Sequence, residues 1–127
     1  MRTYEGFLDK MYEKLPEFKL AIAIANLINL IKPELHCNYM RNSDGIWVVN
    51  NKERLVYFDV YLYKIDITIF AHHEELDKIT DYLIYVFNSN IITFEIQKSD
   101  IPKYISELTK EKYDDFLINN DTKKYNL

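Results

Sequence analysis

The chain has one cysteine, one tryptophan, two glycines and three prolines among 127 residues. With Cys37 alone, no disulfide can close within the sequence, and such thiol usage suits a reducing compartment. Two glycines exclude a Gly-rich phosphate loop, a dinucleotide fingerprint and a Gly-x-Ser-x-Gly elbow, because each needs several permissive backbone positions. His-Glu-x-x-His is missing as well, so an enzyme is not expected. The longest apolar run, Leu20 to Ile31, is interrupted by Asn26 and Asn29. It falls short of the ~20 residues that a membrane span requires, so it reads as a buried helix. Met1 to Lys19 carries charge throughout, without the apolar stretch of a signal peptide. The expectation is a cytoplasmic protein with no membrane anchor and no cofactor.

What is abundant is apolar and aromatic: 48% hydrophobic residues, 15% aromatic, and eleven tyrosines. That is ample for a packed core, and the length suits a single domain over residues 1–127. The net charge of −4 is unevenly spread. Residues 72–97 hold Glu74, Glu75, Asp77, Asp81 and Glu95 against Lys78 alone, and the remainder of the chain balances. A nucleic-acid binder shows the opposite, a clustered basic stripe, so nucleic acid is not the expected partner.

Periodicity divides the chain into eight elements. Thr3 caps a short helical extension (residues 1–15) with Phe7, Leu8, Met11 and Leu15 on its apolar side, and Pro16 separates it from the next helix. Leu20, Ile24, Leu27, Ile28 and Ile31 recur at helical spacing from about Glu17 to Lys32, and Pro33 stops the run. Residues 36–45 read as a polar loop ending in Asp44-Gly45. Strands follow at Ile46 to Val49 and Arg54 to Tyr63. In the latter, Val56, Phe58, Val60 and Leu62 alternate with Tyr57, Asp59, Tyr61 and Tyr63. A break near Lys64-Ile65 precedes a third strand with Ile65, Ile67 and Ile69 on one face.

A helix from about His73 to Asn88 carries Leu76, Ile79, Leu83, Val86 and Phe87. The strand IITFEI then turns Ile92, Phe94 and Ile96 inward. Ser99 or Asp100 caps a last helix, with Pro102 in its first turn and Ile101, Ile105 and Leu108 on its buried side; helix persists to Phe116 or Leu117, and residues 119–127 form a frayed tail. The order α-α-β-β-β-α-β-α predicts an α+β fold, an antiparallel four-stranded sheet with helices packed on one face.

From about Leu20 to Lys110, the stretches LINLIKPEL, LVYFDVYLYK, IDITIF, NIITFEI and DIPKYISELTK resemble small bacterial frataxin-like domains, some proposed as iron chaperones. The resemblance implies the architecture just described. It also implies a metal-binding chaperone as an alternative function, although no ligand set of that family maps onto this chain residue by residue.

Three clusters are candidates for function. His72 and His73 precede Glu74, Glu75 and Asp77, and a helix from His73 would align His73, Asp77 and Asp81 for a divalent ion. The same carboxylates suit the positive end of a helix dipole, which accounts for more of the pattern. No metal ligand is therefore assigned. His36 and Cys37 are adjacent, but nucleophilic catalysis would need further orienting groups. The tyrosine row is the stronger lead. If helices cover Val56, Phe58, Val60 and Leu62, then Tyr57, Asp59, Tyr61 and Tyr63 stand on an open face, with Trp47 joining them in one register. The same rows could equally serve to stabilise neighbouring strands. The expectation is a small non-catalytic binding protein of immunity or inhibitor type. Tyr57, Asp59, Tyr61, Tyr63, Glu74, Asp77 and Asp81 would engage a basic protein partner, and a homodimer through the sheet is a further option.

Overall fold

The computed structural model describes residues 11–43, 45–50, 53–70, 76–87 and 93–125. Helix α1 spans Pro16–Ile31. Pro16 opens it because the first turn needs no amide donor there. Leu20, Ala21, Ile24, Leu27 and Ile28 form a buried stripe at helical spacing. Lys32 closes it by donating its N–H to the Ile28 carbonyl, one residue before Pro33. A short 3-10 turn, Pro33–Leu35, leads into the sheet.

Among the described residues, five antiparallel strands follow one another in simple order: β1 Asn38–Asn42, β2 Gly45–Val49, β3 Arg54–Val60, β4 Lys64–Ile69 and β5 Thr93–Gln97. The α+β class holds, with one strand more than the sequence reading expects. The added strand, β1, lies in the segment read as a polar loop, and its register pairs Tyr39 with Val48 and Arg41 with Ile46. Asn-Tyr-Met-Arg-Asn lacks apolar alternation because its inward side chains are amphipathic. Tyr39 packs edge-on against Phe18 at 5.7 Å, and the Arg41 guanidinium lies 4.0 Å from the Tyr12 ring centroid. An edge strand can half-bury a tyrosine ring and lay an exposed arginine across another ring, where a central strand would need valine or isoleucine.

One face of the sheet is sealed. Ile46, Val48, Val56, Phe58, Ile65, Ile67, Ile69 and Ile96 are each at most 3% exposed. Among the described residues, the layer over it holds α1, α2 (Asp77–Val86), α3 (Ile101–Glu107) and α4 (Lys110–Tyr125). Burying each such side chain contributes about 1.5–3 kcal/mol. Asn29, in the middle of the apolar run of α1, is explained by a two-sided clamp. Its Oδ1 accepts the Cys37 N–H at 2.7 Å and its Nδ2 donates to the Cys37 carbonyl at 2.8 Å, satisfying the backbone where the chain enters β1.

Other expectations need correction. Leu62 does not share the buried face; it sits 75% exposed at a turn, because β3 ends at Val60, earlier than expected. Tyr82, left out of the expected stripe of α2, is almost fully buried, while Val86 is only half-buried. The last helix is two helices. Leu108 turns into the core, and Thr109 Oγ1 accepts the Lys112 N–H at 3.2 Å, starting α4 afresh. The segment read as a frayed tail is helical through Tyr125. Most of the N-terminal extension, Ile92 and the His72–Glu75 cluster lie outside the described residues. Tyr12 stacks on Phe18 at 5.6 Å and so belongs to the covered side.

Candidate functional site: the open face of the sheet

Register fixes which side chains share the uncovered face. Met40 lies opposite Trp47, Trp47 opposite Tyr57, Tyr57 opposite Thr68, and Thr68 opposite Thr93. Trp47 and Tyr57 rings approach to 4.4 Å, and Phe70 stacks on Trp47 at 5.8 Å. A bulge shapes this floor. Val48 pairs with Val56 but Val49 pairs with Arg54, so Leu55 is the extra residue. Leu55 is thereby turned into the core, and Arg54 is turned onto the aromatic face, its guanidinium 4.6 Å from the Trp47 ring centroid. Among the described residues no acceptor meets the Trp47 indole N–H, which is sealed from solvent.

Gly45 is required by the same packing. A Cβ there would stand 2.3 Å from the Phe58 carbonyl oxygen and 3.0 Å from Tyr57 Cε1, at a φ of +154°. The Tyr57 ring thus lies across Gly45 and against Trp47. Tyr57 is half-buried by its neighbours, part of the floor and not a free reader of a partner.

Beside the aromatic floor runs a row of carboxylates. Asp59 lies opposite Asp66, and Asp66 opposite Glu95, across three adjacent strands. Like charges in directly opposed positions destabilise a sheet by roughly 0.2–1 kcal/mol per pair. Two contacts relieve part of this. Tyr61 donates its hydroxyl to Asp59 Oδ2 at 2.9 Å, and Lys64 Nζ reaches Glu95 Oε2 at 3.2 Å while lying 4.9 Å from the Tyr61 ring centroid. The hydrogen bond to Asp59 holds the Tyr61 hydroxyl above its ordinary pKa, with the Asp59 charge adding to the effect. Asp66 makes no hydrogen bond or ion pair of its own among the described residues.

The turn joining β3 to β4 closes with the Tyr61 N–H donating to the Lys64 carbonyl at 2.9 Å. Its tip is Leu62-Tyr63, each 75% exposed, with Tyr61 at 45%. Two-residue hairpin turns usually carry Gly, Asn or Asp. Here two large apolar side chains are presented to solvent, and the Lys98 N–H anchors the tip by donating to the Tyr63 carbonyl at 2.9 Å.

The structure therefore brings together Tyr57, Asp59, Tyr61 and Tyr63, as floor, carboxylate row and tip. It does not bring Asp77 and Asp81 to them. Both are exposed on α2, whose C-terminal Phe87 stacks on Phe94 at 4.9 Å on the covered side. Glu74 lies outside the described residues, as do His72 and His73. Among the described residues no group of three His, Cys, Asp or Glu side chains is arranged to hold a metal ion. Cys37 is buried, and burial pushes its thiol up to about 11. It is held as a neutral thiol, far from the reactive thiolate.

Sequence reasoning missed Phe70, Arg54, Asp66 and Glu95. Phe70 follows the last buried isoleucine of β4 and could have been placed by parity; Arg54 could not, because its direction depends on the bulge. Asp66 and Glu95 needed the register between strands. No protein-family model, curated protein or solved structure matches the chain, and no helix among the described residues is long and apolar enough to cross a membrane.

Proposed function

We propose that this is a small non-catalytic protein-binding domain of inhibitor or immunity type, which docks a protein partner through the open sheet face and the β3–β4 tip. One observation carries the reading: Tyr61, Leu62 and Tyr63 stand in solvent at a tight turn where folding alone would favour Gly or Asn. The Asp59–Asp66–Glu95 row separates them from an aromatic floor of Trp47, Tyr57 and Phe70, on the sheet face that the described helices leave uncovered. Exposed aromatic and apolar clusters of this kind mark interfaces, since aromatic rings contribute contact area at low entropic cost. The acidic helix surface of Asp77 and Asp81 belongs to the other layer and has no part in this docking.

The test compares three forms of the full chain as bait in extracts of the cells that express it. These are the wild type, a Tyr61→Ser, Leu62→Ser, Tyr63→Ser variant, and an Asp77→Asn, Asp81→Asn variant. The reading expects a protein retained by the wild type and the helix variant but lost from the tip variant. Equal retention by all three, or loss only from the helix variant, would contradict it.

A further inference from the structure

We infer that the occupant of the open face is an extended, cationic segment of the partner. It lies along β3, with an apolar or aromatic side chain on the Trp47–Tyr57 floor and an arginine or lysine two residues further on, over the Asp59–Asp66–Glu95 row. This rests on the reading of the face as a protein-binding surface and adds the chemistry of what it binds.

Spacing is the first support. Tyr57 and Asp59 are two residues apart on one face of β3, a separation of about 6.6–6.8 Å. Side chains on one face of any extended segment repeat at that same interval, and in aligned packing strands stacked face to face stay within about 30° of each other. An aromatic–carboxylate pair on β3 therefore meets an apolar–cation pair on an aligned segment in register.

Charge is the second. Across the row, three carboxylates face Lys64 as the one described cation paired with them, and Asp66 has no ion pair among the described residues. Arg54, another described cation of this face, is held at the far end on Trp47. The row is thus net negative beside an apolar floor. A guanidinium suits it well, because its planar fork donates to two oxygens at once and its face stacks on Tyr61 or Tyr57. A second copy of this chain is a poorer occupant, since both copies carry a net charge of −4.

The experiment is a titration of the isotope-labelled full chain, followed through its amide and indole signals. The probes are a blocked pentapeptide of threonine, phenylalanine, threonine, arginine, threonine, and its counterpart with glutamate for arginine. The arginine peptide is expected to shift Trp47, Tyr57 and Asp66, with a Kd of the order of 1 mM. Its affinity should fall about tenfold in an Asp59→Asn, Asp66→Asn variant, and also when salt is raised from about 0.05 to 0.3 M. The glutamate peptide should bind at least about tenfold more weakly. Equal binding of both peptides to this face would overturn the cationic occupant while leaving a protein-binding face in place. Shifts confined to the helix of Asp77 and Asp81, or none anywhere, would overturn both. Shifts that depend on the protein's own concentration, with a dimer in sedimentation, would replace the cationic segment by a second copy.

Discussion

The two faces of one sheet are built on opposite rules. On the covered face, Ile46, Val48, Val56, Phe58, Ile65, Ile67, Ile69 and Ile96 are interchangeable in kind: apolar, mostly β-branched and sealed beneath helices. On the open face, several residues have partners of different kinds. Tyr57 lies over Gly45, Arg54 over Trp47, Tyr61 on Asp59 and Lys64 on Glu95. A face needed only for stability has no reason to oppose carboxylates across three strands or to leave leucine and tyrosine at a turn. The strand residues of the covered face obey folding physics, and the buried carboxylate of the helix layer, Glu17, meets Lys98 at 3.8 Å; the open face departs from that physics at Asp66, Leu62 and Tyr63. Such departures are where function is sought.

Substitutions on the two faces should separate these rules. Phe58→Ala, which hollows the centre of the covered face, should cost about 3–5 kcal/mol in denaturant unfolding. A loss comparable to a surface change would mean that the core is not where the helices meet β3. Gly45→Ala should cost about 1–3 kcal/mol, because its Cβ would collide with the Phe58 carbonyl and displace the Tyr57 ring. It should also quench or shift Trp47 fluorescence, since Trp47 rests on that ring. A Gly45→Ala protein of unchanged stability would refute this account of the floor.

Alkaline pH distinguishes the layers differently. Under the helices, burial raises Cys37 from 9.0 to about 11 and Tyr82 from 10.0 to about 12. Both groups favour their neutral form in the fold. Their contribution is intact below pH 9 and is lost as pH rises through about 11 and then about 12. Unfolding midpoints should therefore drop across that window, and Cys37 should resist alkylation at pH 8 until the chain is unfolded. Rapid alkylation of the native protein would contradict its burial. The smallest effect belongs to the tip. Tyr61→Ser, Leu62→Ser and Tyr63→Ser together should change stability by no more than about 0.5–1 kcal/mol.

Much of this architecture was legible because the covered face writes itself in period two and the helices in period 3.6. Phe58, Ile65, Ile67 and Ile69 needed only alternation to be placed, and Pro16, Pro33 and Pro102 marked helix boundaries. What escaped depends on pairs of residues distant in the chain. β1 was hidden because its inward residues are tyrosine and arginine, which make ring contacts without reading as hydrophobic. Thr109 was hidden because a cap inside a charged helix looks like ordinary helix surface. Of the candidate site, the placement of Tyr57 and Asp59 on β3 followed from alternation, whereas Tyr61 and Tyr63 lie past the end of β3, where alternation no longer applies. The division into floor, row and tip was not legible, since it depends on the turn after Val60 and on the registers that align Asp66 and Glu95 with Asp59. Asp77 and Asp81 were grouped with them on charge, and charge does not report which layer a helix occupies.

Asp66→Asn tests the central claim most directly, with unfolding free energy and arginine-peptide affinity measured on the same protein. If the carboxylate row is kept for a cationic partner, the variant should gain about 0.2–1 kcal/mol in stability and bind the peptide more weakly. A variant that loses stability, or that binds as well as the wild type, would show that Asp66 serves the fold and not a partner.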